Sequence, residues 1–206
     1  MVRTILVVGA GKSTSYLLDY LLKKSTEEQL RLIIGDLRPE NIPAAITSHP
    51  NCDVIQLDIL NDDARKKAIE ISSLVISMLP AHMHIKIAQD CIRYKKHLVT
   101  ASYISKEIEA LAAEAKKNGL VFMNEIGLDP GIDHMSAMEV IDRIRSKGGK
   151  MLLFESFTGG LVAPESDTNL WHYKFTWNPR NVVLAGQGGA AKFIQEGSYK
   201  YIPYQK

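Results

Sequence analysis

The sequence predicts an α/β protein: a Rossmann-type, doubly wound parallel sheet followed by the start of an incomplete α+β second domain. Three observations predict it. Short apolar runs alternate with amphipathic segments through the first 130 residues, a G-x-G turn (Gly9-Ala10-Gly11) follows the first run, and Asp36 ends the second. Strands of a parallel sheet are buried on both faces, so they read as continuous apolar runs, and each needs a crossover that is usually a helix. On this reading residues 1–130 form a dinucleotide-binding domain and residues 131–206 begin a substrate-binding or dimerisation domain.

Thr4 to Val8 is the first predicted strand, and Leu17, Leu18, Leu21 and Leu22 mark one face of the helix after it. Leu30 to Ile34 and Val54 to Leu57 are the second and third strands. Leu74 to Met78 is the fourth, followed by Pro80 at a first helical position and a stripe of Ile85, Ala88 and Ile92. Leu98 to Ala101 is the fifth, and the helix behind it is capped by Ser105 and stopped by Gly119. Leu120 to Met123 is the sixth. Asp129-Pro130-Gly131 then makes a turn with Pro at its second and Gly at its third position, Asp133 caps a helix, and Met135, Met138, Ile141 and Ile144 line one face of it. Beyond Gly148-Gly149, Met151 to Phe157 reads as a strand. Trp171, Tyr173, Phe175 and Trp177 alternate with polar residues as on one strand face, and Ala190 to Ile194 reads as a short helix.

Composition narrows the function. A formal charge of +2 from 25 basic and 23 acidic residues carries no nucleic-acid or membrane signature. No apolar stretch approaches the roughly 18 residues of a membrane span. The first residues read as a strand running into a Gly-rich turn, not as a signal peptide. Cys52 and Cys91 lack ligand spacing and suit a reducing compartment. A soluble, cytoplasmic protein acting on a small molecule is expected.

The G-x-G turn supplies the first chemistry. Gly9 permits the tight turn, Gly11 lets the backbone approach a pyrophosphate, and the helix behind Lys12 and Ser13 offers free N–H groups and its positive dipole end. Thr14 stands at the third position, where Gly or Ala would bring helix and strand closer. Asp36, 22 residues beyond Thr14, can hydrogen-bond an adenine-ribose 2′-hydroxyl, which favours NAD, whereas Arg38 beyond Leu37 suits the 2′-phosphate of NADP. Asp58 and Ile59 after the third strand, Leu79 after the fourth, and Thr100-Ala101-Ser102-Tyr103 after the fifth share the carboxyl edge where ligands of open α/β sheets rest. Asp129, on a rigid turn past the sixth strand, is the best-placed carboxylate for taking a proton, with Tyr103 as its polar neighbour. His82 and His84 do not share a helix face, and His49, His97 and His172 have no partner at ligand spacing, so no metal site is expected. Ser13, Ser102 and Ser156 lack the G-x-S-x-G elbow of hydrolases.

Together these residues resemble the saccharopine dehydrogenase family, in particular its glutamate-forming saccharopine reductases. The resemblance runs through Val-Gly-Ala-Gly-Lys at 8–12, Val-Ile-Ser-Met-Leu-Pro at 75–80 and Leu-Val-Thr-Ala-Ser-Tyr-Ile-Ser at 98–105. It continues through Met-Asn-Glu-Ile-Gly-Leu-Asp-Pro-Gly-Ile-Asp-His at 123–134, Gly-Gly-Leu-Val-Ala-Pro-Glu-Ser at 159–166 and Tyr-Lys-Phe-Thr-Trp-Asn-Pro-Arg at 173–180. It implies oxidation of the secondary amine of saccharopine by NAD or NADP, with hydrolysis of the imine to glutamate and 2-aminoadipate semialdehyde. It places dinucleotide contacts on Gly9 to Ser13, Asp36 to Arg38, Asp58, Leu79 and Thr100 to Ser102, and substrate contacts on Ser102, Tyr103 and Asp129. A homodimer is expected. Where some members carry Tyr-Cys-Gly-Gly, this chain has Phe157-Thr158-Gly159-Gly160, without the thiol. Members are longer than this chain, which therefore reads as a fragment or a truncated reading frame. Carboxynorspermidine dehydrogenase, of similar architecture, and a non-catalytic dinucleotide-binding module are the alternatives.

Overall fold

In the computed structural model, residues 2–157, 159–175, 179–185 and 189–203 are described. Internal packing divides the chain into two compact units, residues 1–156 and 157–206.

The first unit is built on six parallel strands: β1 (Arg3–Val8), β2 (Leu30–Asp36), β3 (Cys52–Gln56), β4 (Leu74–Ser77), β5 (His97–Thr100) and β6 (Phe122–Met123). Their order is β3-β2-β1-β4-β5-β6. The chain reverses its direction of travel across the sheet between β1 and β4, which is where such sheets open a crevice for ligands. Side-chain alternation along each strand sends residues to two separate cores. Leu6, Val8, Ile33 and Val75 pack on one face with Ile69, Ile87, Ala88 and Leu98, whereas Ile5, Val7, Leu32, Ile34 and Ile76 pack on the other with Leu18, Leu22, Ile42 and Ile46.

The covering helices are α1 (Ser15–Ser25), α2 (Ala44–Thr47), α3 (Asp62–Glu70), α4 (His84–Tyr94), α5 (Lys106–Glu109) and α6 (Ala112–Lys117). Asn61 caps α3 by accepting from the Ala64 N–H at 3.1 Å, and Ser105 caps α5 by accepting from the Ile108 N–H at 3.3 Å. The single helix expected between Ser105 and Gly119 is split, because the Leu111 N–H turns back to the Ile108 carbonyl at 3.0 Å and tightens the chain there. Pro80 precedes a 3₁₀ turn, Ala81–Met83, and α4 begins only after it, not at Pro80 as expected.

Past β6 the chain enters α7 (Ile132–Ser146). Asp133 is not its N-cap. Gly131 occupies that position, and the Asp133 Oδ1 reaches back to accept the Gly131 N–H at 3.0 Å from inside the first turn. Met151 to Phe157, expected as a strand, forms no ladder: an apolar run becomes a strand only where a neighbour takes its backbone hydrogen bonds.

In the second unit, residues 171–175 do not form the expected strand. Asn169 holds a tight turn, its Oδ1 accepting the Trp171 N–H at 3.0 Å and its Nδ2 donating to the Tyr173 carbonyl at 2.9 Å, with His172 at φ +50°. Tyr173 and Phe175 meet edge to face, with centroids 5.6 Å apart; Trp177 lies outside the described residues, as do Gly186 to Gly188. After α8 (Pro179–Ala185) comes an antiparallel hairpin, β7 (Ala191–Gln195) and β8 (Ser198–Ile202), where a helix was expected over Ala190 to Ile194. Glu196 and Gly197, at φ +52° and +73°, join its strands, as a two-residue turn with both central residues at positive φ does.

Candidate dinucleotide and substrate site

The Gly-rich turn is fastened to both strands beside β1. The Gly9 N–H donates to the Gly35 carbonyl at 2.8 Å, and the Met78 N–H donates to the Val8 carbonyl at 2.8 Å. Gly9 sits at φ +94°, and a Cβ there would lie 3.2 Å from the Met78 oxygen, so position 9 favours glycine. A Cβ on Gly11 would meet nothing within 4 Å. That open side of the loop, ahead of the N-terminus of α1, is shaped for an anion to approach the backbone. Thr14 replaces the third glycine with its side chain folded under the turn: it is 1% exposed, and its hydroxyl donates to the Gly9 carbonyl at 3.4 Å. These features fit a dinucleotide pyrophosphate, with Lys12 and Ser13 exposed beside it.

Asp36 does more than the sequence suggested. Its Oδ2 accepts the Ala10 N–H at 2.7 Å and its Oδ1 accepts the Arg38 N–H at 2.9 Å. Each oxygen holds one backbone N–H and keeps a second lone pair, so this carboxylate serves the loop as well as any ribose and does not by itself favour NAD. Leu37 and Arg38 are exposed immediately beyond. Asp58 accepts the Leu60 N–H at 2.9 Å, and the Ile59 carbonyl accepts from Arg65 Nη1. Arg65 is itself buried, donating to Asp90 at 2.7 Å and to Asp62 at 2.8 Å. It ties the loop after β3 to α4.

At the neighbouring edge Leu79 packs beside Gly9, and Ser77, Thr100 and Ser102 converge on one imidazole. The His84 Nδ1 lies 2.8 Å from the Ser77 Oγ, and its Nε2 lies 2.8 Å from the Ser102 Oγ and 3.2 Å from the Thr100 Oγ1. Burial pushes His84 down from 6.5 to about 4, with His82 adding repulsion, so the ring is neutral at pH 7.

Beyond β5 and β6 two segments run side by side. The Glu125 N–H donates to the Ser102 carbonyl at 3.0 Å, and the Glu125 Oε1 accepts the Ile104 N–H at 3.0 Å. Glu125 adopts φ +62°, an uncommon conformation for a residue with a side chain, and it brackets Tyr103 on both sides. The Tyr103 hydroxyl donates to the Asp129 Oδ1 at 2.9 Å. That hydrogen bond, then partial burial and the charges of Asp129, Asp133 and Glu125, hold the phenol above its ordinary range. The Asp129–Pro130 peptide is cis, and the Gly127 N–H donates to the Pro130 carbonyl at 2.8 Å. Asp133 and His134 join Asp129, their ligand atoms lying within 4.8 Å of one another. Desolvation raises the Asp133 carboxyl, but hydrogen bonds from the His134 and Gly131 N–H groups together with the adjoining His134 imidazole more than offset it and lower it. The Asn124 Oδ1 is buried without a partner at the same edge.

The model of the saccharopine dehydrogenase NADP binding domain matches residues 5–123, more than half of the chain, and that of the saccharopine dehydrogenase C-terminal domain matches residues 127–206. The chain belongs to the saccharopine dehydrogenase family. It is 37% identical over 195 residues to the saccharopine dehydrogenase [NADP(+), L-glutamate-forming] of Pyricularia oryzae, covering 95% of this chain and 42% of that one. It is 34% identical over 215 residues to the alpha-aminoadipic semialdehyde synthase of Arabidopsis thaliana, covering 96% of this chain and 20% of the relative. The solved apo saccharopine dehydrogenase (L-Glu forming) from Saccharomyces cerevisiae superposes with a TM-score of 0.82 at 34% identity, covering 98% of this chain and 44% of that one. The chain thus spans less than half the length of these relatives. No described helix is long and apolar enough to cross a membrane.

The residues singled out in the sequence fall into two groups in this family fold. Gly9 to Ser13, Asp36 to Arg38, Asp58 and Ile59 surround the turn after β1 and the ends of β2 and β3; Leu79 follows β4, Thr100 ends β5 and Ala101 to Tyr103 follow it, with Asp129 held against Tyr103. Sequence reasoning missed His84, Glu125, Arg65 and Asn124. Glu125 sits inside the motif that carried the family resemblance, whereas nothing in the spacing of His84 points to three hydroxyls contributed by β4 and β5 and the loop beyond.

Proposed function

We propose that this chain carries the cofactor site and part of the substrate site of a glutamate-forming saccharopine reductase. The observation that carries the reading is the Tyr103–Asp129 hydrogen bond, at 2.9 Å, on the carboxyl edge of a sheet whose first turn is open to a dinucleotide. Residues 1–130 are assigned to dinucleotide binding and residues 131–206 to the beginning of a substrate-binding or dimerisation domain, a division supported by the two family matches on either side of residue 125.

When bound, the nicotinamide ring supplies a hydride acceptor. Asp129 takes the proton released from the secondary amine as the carbon–nitrogen double bond forms, and afterwards assists water in adding to that bond. Tyr103, kept protonated, orients the carboxylate by donating to its Oδ1 and leaves the Oδ2 for substrate. Hydrolysis releases glutamate and 2-aminoadipate semialdehyde. Ser102 contacts substrate or cofactor at the same edge.

NADP is the cofactor this reading favours. Asp36 is engaged by Ala10 and Arg38, and the exposed Arg38 guanidinium suits a 2′-phosphate. The name of the matched family model, an NADP binding domain, supports the same choice. The reading extends to a homodimer in the cytoplasm, the dimer being checked by sedimentation equilibrium.

The test is fluorescence titration with NADPH and NADH, then NADPH formation from NADP+ and saccharopine by this chain and by a length-matched relative. Tighter NADPH binding that is lost in Arg38→Ala supports the cofactor. Turnover lost in Asp129→Asn supports the base. Turnover of carboxynorspermidine in place of saccharopine would reassign the substrate, and binding without turnover of either would make the chain a dinucleotide-binding module.

A further inference from the structure

We infer that His84 is a positioning residue of this site: its imidazole, buried between Ser77 and Ser102, fixes the direction in which the Ser102 hydroxyl meets a bound nicotinamide dinucleotide. The inference rests on the dinucleotide reading above.

The geometry is that of a relay. His84 is 1% exposed and Ser77 is fully buried, so neither has water to satisfy it. The ring nitrogens sit 2.8 Å from Ser77 and 2.8 Å from Ser102, on opposite sides of the ring. A neutral imidazole has one donor and one acceptor nitrogen. The two serines therefore cannot both donate to it, nor both accept from it. If Ser77 donates to Nδ1, Nε2–H donates to Ser102, whose own proton is left for a ligand; if Nδ1–H donates to Ser77, Ser102 donates into the ring and offers the ligand only lone pairs. The polarity of Ser102 is thus set from the floor of the sheet. Thr100 steadies the same arrangement, its Oγ1 accepting the Ser102 N–H at 3.3 Å while lying 3.2 Å from Nε2. Ser102 is the half-buried end of the relay, at the edge where the ligand rests. Any buried imidazole needs partners for both nitrogens; what ties this one to the site is that one of its partners, Ser102, reaches the open edge.

Two measurements on the full chain test this. The first needs no ligand: nitrogen-15 NMR of labelled histidine. Ser102→Ala is expected to move the Nε2 resonance of His84 and Ser77→Ala the Nδ1 resonance, with the ring neutral at pH 7; unchanged resonances in both variants would overturn the relay. The second is NADPH titration. Loss of one net hydrogen bond corresponds to a weakening of about fivefold to tenfold, expected equally for Ser102→Ala and His84→Phe, and no greater in the double variant. Multiplied effects, or wild-type affinity in a folded His84→Phe, would overturn it. His84→Gln, which can reach Ser102 but not bridge both serines, is expected to lie between wild type and His84→Phe and covers a Phe variant that fails to fold. If the unaltered chain binds no NADPH, the dinucleotide reading falls and the NMR result alone decides the relay.

Discussion

The Tyr103 hydroxyl donates to the Asp129 Oδ1 at 2.9 Å, across 26 residues of sequence and between the loops that follow β5 and β6. The pair is electrostatically coupled, so Tyr103 reports on Asp129 without any substrate. Asp129→Asn removes the anion that holds the phenol proton. The Tyr103 titration is then expected to fall back towards the ordinary tyrosine range, read by ultraviolet difference spectroscopy against Tyr103→Phe. An unmoved titration would sever the pair. In a turnover assay the same variant is expected to lose about 10²- to 10⁴-fold in kcat, the usual contribution of a positioned proton acceptor.

The cap of α7 is sterically committed. Gly131 sits at φ +149°, and a Cβ there would overlap the Gly127 oxygen and lie 2.6 Å from the Gly127 nitrogen. Gly131→Ala is expected to destabilise the unit by at least about 1–3 kcal/mol, the usual cost of one strained backbone position. Urea unfolding measures it, and an unchanged midpoint would refute the placement of this turn.

Arg65 and Asp90 form a pair whose side chains are 6% and 7% exposed. Removing one partner strands a buried charge and costs about 3–5 kcal/mol, whereas replacing both with apolar residues of similar size is close to neutral. Arg65→Met alone is therefore expected to lower the unfolding midpoint strongly, and Arg65→Met with Asp90→Leu to recover much of it. Because Arg65 also holds the Ile59 carbonyl, the double variant is expected to remain weaker in NADPH binding.

His84 predicts a pH dependence with a definite sign. Its folded value, about 4, lies below 6.5, so the unfolded chain binds more protons between the two. Stability from the neutral ring is fully present above pH 6.5 and is lost as pH falls towards 4, at up to about 1.4 kcal/mol per pH unit. Denaturant midpoints measured from pH 7 to pH 4 should fall less steeply in His84→Phe than in the unaltered chain. Parallel profiles would mean that His84 is not buried neutral.

The parallel sheet was legible because its strands are buried on both faces. Ile5 to Val8, Leu32 to Ile34 and Val75 to Ile76 leave no polar position to interrupt the run, and Ser105 and Gly119 mark the outer limits of the helical segment between β5 and β6 chemically. Legibility failed where the same apolar texture had no such constraint. Residues 151–157 lack a ladder partner, and 191–195 became a strand only because Glu196-Gly197 turned the chain back on itself. At the site, residues on one motif were readable, but contacts joining distant segments were not. Nothing in the spacing of Ser77, His84 and Ser102 announces a shared hydrogen-bond chain, and Asp36 gave no sign that its oxygens were already committed.

That commitment of Asp36 has a practical side. A change such as Asp36→Ala, made to widen the mouth for a bulkier or more highly charged nucleotide, would also release the Ala10 amide and the Arg38 amide that the carboxylate holds at 2.7 and 2.9 Å. Loop rigidity is vested in Asp36, whereas selectivity rests with its neighbour Arg38. Altering cofactor choice in this fold should therefore begin at Arg38, whose guanidinium is free to be exchanged while the anchor beneath it stays in place.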